Sequence, residues 1–327
     1  MNLNASTWRW VLALLMLGLI TVCLGTAAGS QGWQAWWREP ADEVMHQIVW
    51  DIRLPRSLGA WLGGALLGLA GAVAQGLFRN PLADPFVLGS ASGASVGVAV
   101  FLSVMGGGAL TGWLTLGLTG SAFVGAVLAV LLTLLLARGA EQTLRLLLAG
   151  VVVGVVLGAV TSLLSLWQPQ VLQAMQGFML GSSAFMHLHG CLLLAAVWVV
   201  CTTVAMALSR VLDALTLGEA TARSLGMPLH SARLVLVGVI SLATGAAVAQ
   251  LGLVAFVGLA APHWVRTWVR TAQAGQLLLS ALMGGLMLCS ADVLARVVLA
   301  PQELPVGILT AVVGGGYLLW RVHQESA

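Results

Sequence analysis

Residues 144–166 read LRLLLAGVVVGVVLGAVTSLLSL, a stretch whose one charge, Arg145, sits at its leading end. About 20 consecutive apolar residues cross a bilayer as helix, and helix is the state that satisfies every backbone N–H and C=O within such a segment. Outward from this run the same pattern repeats along the chain. Apolar runs at 8–28, 57–78, 87–106, 112–137, 190–208, 233–250, 252–264, 276–299 and 305–321 are divided by short polar stretches. The run at 252–264 is short and suits a half-helix or an extension of its neighbour. The 327 residues are 59% hydrophobic and 8% charged, with a mean hydropathy of +0.99. A water-soluble domain carries about 25% charged residues. The chain therefore reads as an all-α, polytopic membrane bundle of about ten transmembrane helices, a single domain over residues 1–327.

Glycines recur at helical spacing, as at Gly59, Gly63, Gly64, Gly68 and Gly71, and at Gly150, Gly154 and Gly158. Small residues four apart let helices approach closely where lipid supplies no hydrophobic drive, so a tight bundle is expected. All 14 basic residues are arginine. They lie scattered between apolar runs, so the formal charge of +3 is no nucleic-acid signal. With the N-terminus inside, Arg38, Arg53, Arg56 and Arg296 fall in outer loops and the other ten fall inside. Cytoplasmic loops are enriched in Lys and Arg, which places both termini in the cytoplasm. The run after Arg9 reads as an uncleaved first span rather than a secretory signal. Cys23, Cys191, Cys201 and Cys289 lie in apolar segments without paired spacing and read as small buried residues.

Ionisable side chains inside spans are expensive and usually functional. Here Asp292 is the one acid well inside a predicted span, with Arg296 one turn later on the same helical face. Coupling-ion sites are normally built from buried carboxylates or broken helices, and no such relay is legible. The six histidines lie near span ends or in loops, without nucleophile–base spacing. No enzyme, no cofactor and no metal site are expected, and energy for uphill transport must come from another protein.

Several blocks then resemble the permease family of ABC importers for iron complexes and cobalamin. They are Ile52-Arg53-Leu54-Pro55-Arg56, Arg79-Asn80-Pro81-Leu82-Ala83-Asp84-Pro85, Leu88-Gly89 and Ser92-Gly93-Ala94. The series continues with Arg145-Leu146-Leu147-Leu148-Ala149-Gly150, Leu217-Gly218-Glu219, Ala222-Arg223, Leu225-Gly226, Phe256-Val257-Gly258-Leu259, Pro262-His263, Arg266 and Glu303-Leu304-Pro305-Val306-Gly307. They occur in family order from about residue 48 to 322. The resemblance implies a permease in the bacterial inner membrane that imports a ferric siderophore or haem by alternating access, with cobalamin as the alternative cargo. It further implies a homodimer, two copies of a cytoplasmic ATP-binding subunit and a periplasmic substrate-binding protein. An ion-coupled carrier and a non-transporting scaffold are the competing readings.

By the same resemblance, Arg53, Arg56 and Arg296 dock acidic residues of the binding protein; their other reading is span anchoring at headgroup level. Leu217, Gly218, Glu219, Arg223 and Gly226 fall in the ATPase-docking element, a short amphipathic helix ended by Gly226 and Pro228. Asn80, Leu82, Gln142 and Thr143 are the cytoplasmic gate candidates, although Glu141-Gln142-Thr143-Leu144 departs from the small hydroxyl residues of the family. His187 and His189, in the outer stretch before residue 190, read as interfacial polar residues or as imidazoles that meet an iron centre. His263 reads as a structural residue at a helix end.

Overall fold

The computed structural model describes residues 4–29, 32–34, 43–105, 112–137 and 143–326. α1 (Ala5–Ala27) leads into β1 (Ala28–Gly29), which pairs antiparallel with β2 (Gly32–Trp33). α2 (Glu43–Gln47) passes through a π-helical turn (Ile48–Arg53) into α3 (Leu54–Phe78). After a 3₁₀ turn (Pro85–Leu88) come α4 (Ser90–Met105), α5 (Gly112–Leu136), α6 (Thr143–Trp167) and α7 (Pro169–Leu180). Then follow α8 (Leu188–Ala207), α9 (Ser209–Thr216), α10 (Glu219–Ser224) and α11 (Leu229–Leu251). The chain closes with α12 (Val257–Trp268), α13 (Gln273–Val297) and α14 (Val306–Ser326).

Every apolar run of the sequence is met by one of these helices. Seven helical segments among the described residues are long and apolar enough to span a membrane, and α4, α12 and the apolar part of α14 are shorter. The run expected at 252–264 is helical only from Val257 to Trp268. Residues 252–256 are not helical, because Gly252 (φ +71°) and Phe256 (φ +68°) take left-handed conformations. α12 is thus a half-helix, as its length suggested. Three helices lie outside the stretches read as helical from the sequence, the short α2 and α9 and also α7, which is opened by Pro169, is stopped by Gly181 (φ +66°) and buries Val171 and Met175 against Ala94 and Val98 of α4.

α3 is the axis of the bundle, buried along nearly its whole length by α8, α11, α12 and α13. Its contact with α13 is backbone on backbone: a Cβ on Gly64 would overlap the carbonyl oxygen of Gly284, and one on Gly284 would overlap that of Gly64. This is the close approach that small residues provide in lipid. α1, α6 and α8 lie at the periphery with most of their apolar side chains uncovered, as expected of helices that face hydrocarbon or a second subunit.

Candidate functional site

At one end of the bundle, Asp292 of α13 is fully buried and gathers three donors. Arg56 Nε (3.1 Å) and the Ser183 hydroxyl donate to Oδ1, and Arg296 Nη2 donates to Oδ2. Arg56 Nη1 also reaches Glu303 Oε2 at 2.7 Å, ahead of α14. Arg296 donates to Gly25 O (2.9 Å) and Ser57 Oγ (3.1 Å). Arg53 donates to Thr26 O (3.2 Å) and to the Gln34 side chain. One carboxylate thus ties α3, α13 and the segment after α7 together, while the guanidiniums reach back to α1.

The three docking candidates are brought together, yet they are turned inward. Arg53, Arg56 and Arg296 are only 9%, 8% and 1% exposed. A surface-presented trio is therefore not what this conformation displays. The cause is Asp292, which holds Arg56 and Arg296 where a buried charge needs a partner. The Asp292–Arg296 pair expected from its spacing is formed. Glu303 and Ser183 were not legible as members, because only the fold brings residues so distant in sequence to Asp292. Glu303 is the rim of the cluster, its side chain 32% exposed.

At the other end, the stretch from Leu217 to Gly226 holds the one short helix expected of it, α10. α9 ends ahead of it at Thr216, and Gly218, whose φ of +107° only glycine adopts without strain, separates the two helices. Gly226 (φ +75°) and then Pro228 stop α10 as the sequence suggested. Glu219 accepts from Arg223 Nη2 (2.9 Å) on its own helix and from Arg233 Nη2 (3.1 Å) on α11. The bond from the buried Arg233 guanidinium, reinforced by the charge of Arg223, holds the Glu219 carboxyl below the usual range. Glu219 is therefore a tether, while Leu217, Arg223 and Leu225 are presented outward. An exposed pair of leucines around an arginine is an unusual solvent face and suits a protein groove. A further tether went unread: Asp213 Oδ1 of α9 accepts the Gln273 N–H at the start of α13 (3.0 Å), an N-terminal capping contact.

Between α3 and α4, Asn80 Oδ1 accepts the Leu82 N–H (2.9 Å) and Asp84 Oδ1 accepts the Phe86 N–H (2.7 Å). These two side-chain turns build a rigid loop with Leu82 exposed at its tip. Thr143 is the first residue of α6, and Gln142 lies outside the described residues. His187 and His189 are exposed at the start of α8, where His187 Nδ1 lies 2.6 Å from Phe185 O. His263 packs edge-on against Tyr317 at 5.8 Å.

A cavity of about 530 Å³ opens between α4, α6 and α7, walled by Ser92, Ser95, Thr161, Ser162, Ser165 and Gln176 with Met175 and Met179. Most of its hydroxyls are spent on their own helices: Ser95 donates to Ala91 O, Thr161 to Leu157 O, Ser162 to Gly158 O and Ser165 to Thr161 O. The wall carries no charge. With most hydroxyls so occupied and Leu166, Leu172, Met175 and Met179 beside them, the wall is largely apolar.

The sequence pattern of the FecCD transport family matches residues 12–324. The vitamin B12 import system permease protein BtuC of Salmonella paratyphi A is 38% identical, with 97% of this chain and 96% of the relative covered. The protein of the same name from Salmonella typhimurium gives the same values. Among solved structures, a transporter assigned to the metal-chelate type of ABC transporters, in an inward-facing conformation, matches with a TM-score of 0.86 at 27% identity, covering 97% of this chain and 99% of that one. PsaBC from Streptococcus pneumoniae matches with a TM-score of 0.54 at 17% identity over 80% of this chain and 88% of its own, a likeness of fold alone.

Proposed function

The chain belongs to the FecCD transport family, and on that premise we propose that it carries a bulky metal chelate inward across the bacterial inner membrane. It is a multi-pass permease component of an ABC importer and not an enzyme. Family membership implies an ATP-binding subunit and a substrate-binding protein as partners. Two permease copies with two ATP-binding subunits form the complete importer in this reading, and both termini face the cytoplasm, as the arginine distribution favours.

Sequence motifs alone ranked a ferric siderophore or haem ahead of cobalamin. The 38% identity to vitamin B12 permeases supports cobalamin instead, and an iron complex stays as the second reading because the matched transporter is of metal-chelate type. The observation that carries the transport proposal is the match of the FecCD family pattern to residues 12–324, and the uncharged cavity between α4, α6 and α7 is consistent with it because it offers a solute no charged site. ATP-driven closure of the partner subunits would act on Leu217, Gly218, Glu219, Arg223 and Gly226, and alternating access follows from the partner's differential affinity for two states. Asn80, Leu82, Gln142 and Thr143 close the inner end in this scheme. The outer cluster of Arg53, Arg56 and Arg296 receives acidic residues of the binding protein, with Glu303 as the internal carboxylate that yields first.

Proteoliposomes holding the permease with its ATP-binding subunit and binding protein test the proposal. Labelled cobalamin, haem and a ferric siderophore are offered in turn. Uptake of one of them that needs ATP supports the reading and names the cargo. Uptake that continues without nucleotide hydrolysis would falsify it in favour of an ion-coupled carrier.

A further inference from the structure

A second cavity, of about 510 Å³, runs down the flank of the bundle between α1, α12, α13 and α14. Leu14, Leu17, Trp264, Met283 and Met287 form much of its wall. Two of its hydroxyls are already spent: Thr21 donates to Gly18 O (2.8 Å) and Thr310 to Gly307 O (3.0 Å). Exposed Leu17, Leu294 and Val313 line it, so it opens sideways. A polar solute has little to bond to here, whereas a hydrocarbon chain has a matching wall.

One end of the groove is marked chemically. Trp10 stacks on Trp268 at 6.3 Å and Trp268 on Trp264 at 6.0 Å, an aromatic cluster of the kind that sits at headgroup level. Ala13, Leu17 and Thr21 line the groove, and Arg9 continues their every-fourth-residue row on α1 past the tryptophans. Arg270 lies two residues beyond Trp268, and the Thr7–Thr271 hydroxyl contact (3.3 Å) brings that segment beside the first turn of α1. Both arginines are exposed, and neither has an ion-pair partner among the described residues. Neither flanking segment, 4–10 or 264–273, contains an acid.

We propose that this groove binds an anionic phospholipid, one acyl chain lying between α1 and α14 and the phosphate held by Arg9 and Arg270. Basic pockets between spanning helices select anionic headgroups, and an uncharged lipid shares the groove but not the arginines. The groove shares no lining residue with the cavity between α4, α6 and α7, and it does not depend on the cargo or orientation assigned above.

The full chain, delipidated in detergent and transferred to nanodiscs, is compared with phosphatidylcholine alone and with phosphatidylglycerol added. Native mass spectrometry counts retained lipid, and thermal unfolding reads its effect. Phosphatidylglycerol is expected to be retained preferentially and to raise Tm. Each guanidinium near an anionic headgroup is worth roughly fivefold in affinity, so Arg9→Gln with Arg270→Gln is expected to weaken retention about thirtyfold. Ala13→Phe, at an exposed position on the groove wall, is expected to expel the acyl chain while leaving both arginines in place. Equal retention of the two lipids, or unchanged phosphatidylglycerol retention in the arginine variant, overturns the proposal. So does disulfide capture of a second copy through Leu17→Cys in a Cys23→Ser background, since the groove would then be a subunit contact.

Discussion

Replacing Asp292 with alanine removes the carboxylate on which the arginine cluster converges. Asp292 is wholly buried, Arg296 is 1% exposed and Arg56 is 8% exposed, so the two guanidiniums lose their shared partner without gaining water. Breaking a buried pair from one side costs about 3–5 kcal/mol, a large share of a total stability of roughly 5–15 kcal/mol. Arg56 retains Glu303 (2.7 Å) and Arg296 retains two carbonyls and Ser57, which places the expected loss toward the lower bound. Asp292→Asn keeps the volume and one acceptor and is expected to lose less. Adding Arg296→Met to Asp292→Ala removes the stranded charge, so the double variant is expected to be more stable than Asp292→Ala alone, with a coupling of about 0.5–3 kcal/mol. The assay is equilibrium unfolding of the permease by steric trapping in bicelles, with membrane yield read in parallel. An Asp292→Ala loss below about 1 kcal/mol, or a double variant no better than the single, refutes the claim that this carboxylate holds the arginines inward.

Glu303→Gln is expected to change stability by less than about 1 kcal/mol, because its pair with Arg56 opens to solvent. It is expected to raise affinity for the binding protein a few fold, measured by surface plasmon resonance at low salt; weaker binding would argue that Glu303 itself forms the docking surface. Gly218→Ala forces a side chain into φ +107° and is expected to cost about 1–3 kcal/mol, read as faster hydrogen exchange in residues 217–226 and reduced co-purification of the ATP-binding subunit. The depressed Glu219 carboxyl stabilises the docking element fully above the ordinary glutamate range, near about 4.3. That stabilisation is lost as pH falls through the lower folded value, so the protection factors in 217–226, taken against intrinsic exchange at each pH, are expected to stay flat from neutral pH down to that range and then fall; Arg233→Gln should move the fall to higher pH. Gly64→Leu drives a side chain into the Gly284 backbone and is expected to abolish folded yield, whereas leucine at Gly158, where nothing lies within 4 Å, is expected to be tolerated.

The fold was largely legible because lipid makes helix compulsory and hydropathy marks where each helix runs. What stayed hidden is what hydropathy does not encode. α7 is too short and too polar for a span, and its place follows from Val171 and Met175 meeting α4. The break at 252–256 depends on two left-handed residues, one of them Phe256, whose side chain packs on Gly314 of α14; nothing local in the sequence fixes that conformation. The short helix ended by Gly226 was legible, but its separation from α9 at Gly218 follows from a backbone angle that a glycine permits without announcing.

The arginines around Asp292 show the same limit in electrostatic form. Counting charge by loop places Arg53, Arg56 and Arg296 on one side of the membrane, and loop charge carries no information on which way a guanidinium points. That is decided by partners such as Asp292, Ser57 and Glu303, separated by up to 247 residues from the arginine they satisfy. With three guanidiniums against two carboxylates, the cluster retains an excess of one positive charge. Such an excess is costly in a buried site, and an acidic surface arriving at the Glu303 rim offers to balance it. Inward-turned arginines and the proposed acidic docking partner are therefore compatible, because a carboxylate brought from outside would balance the charge that Asp292 and Glu303 leave over.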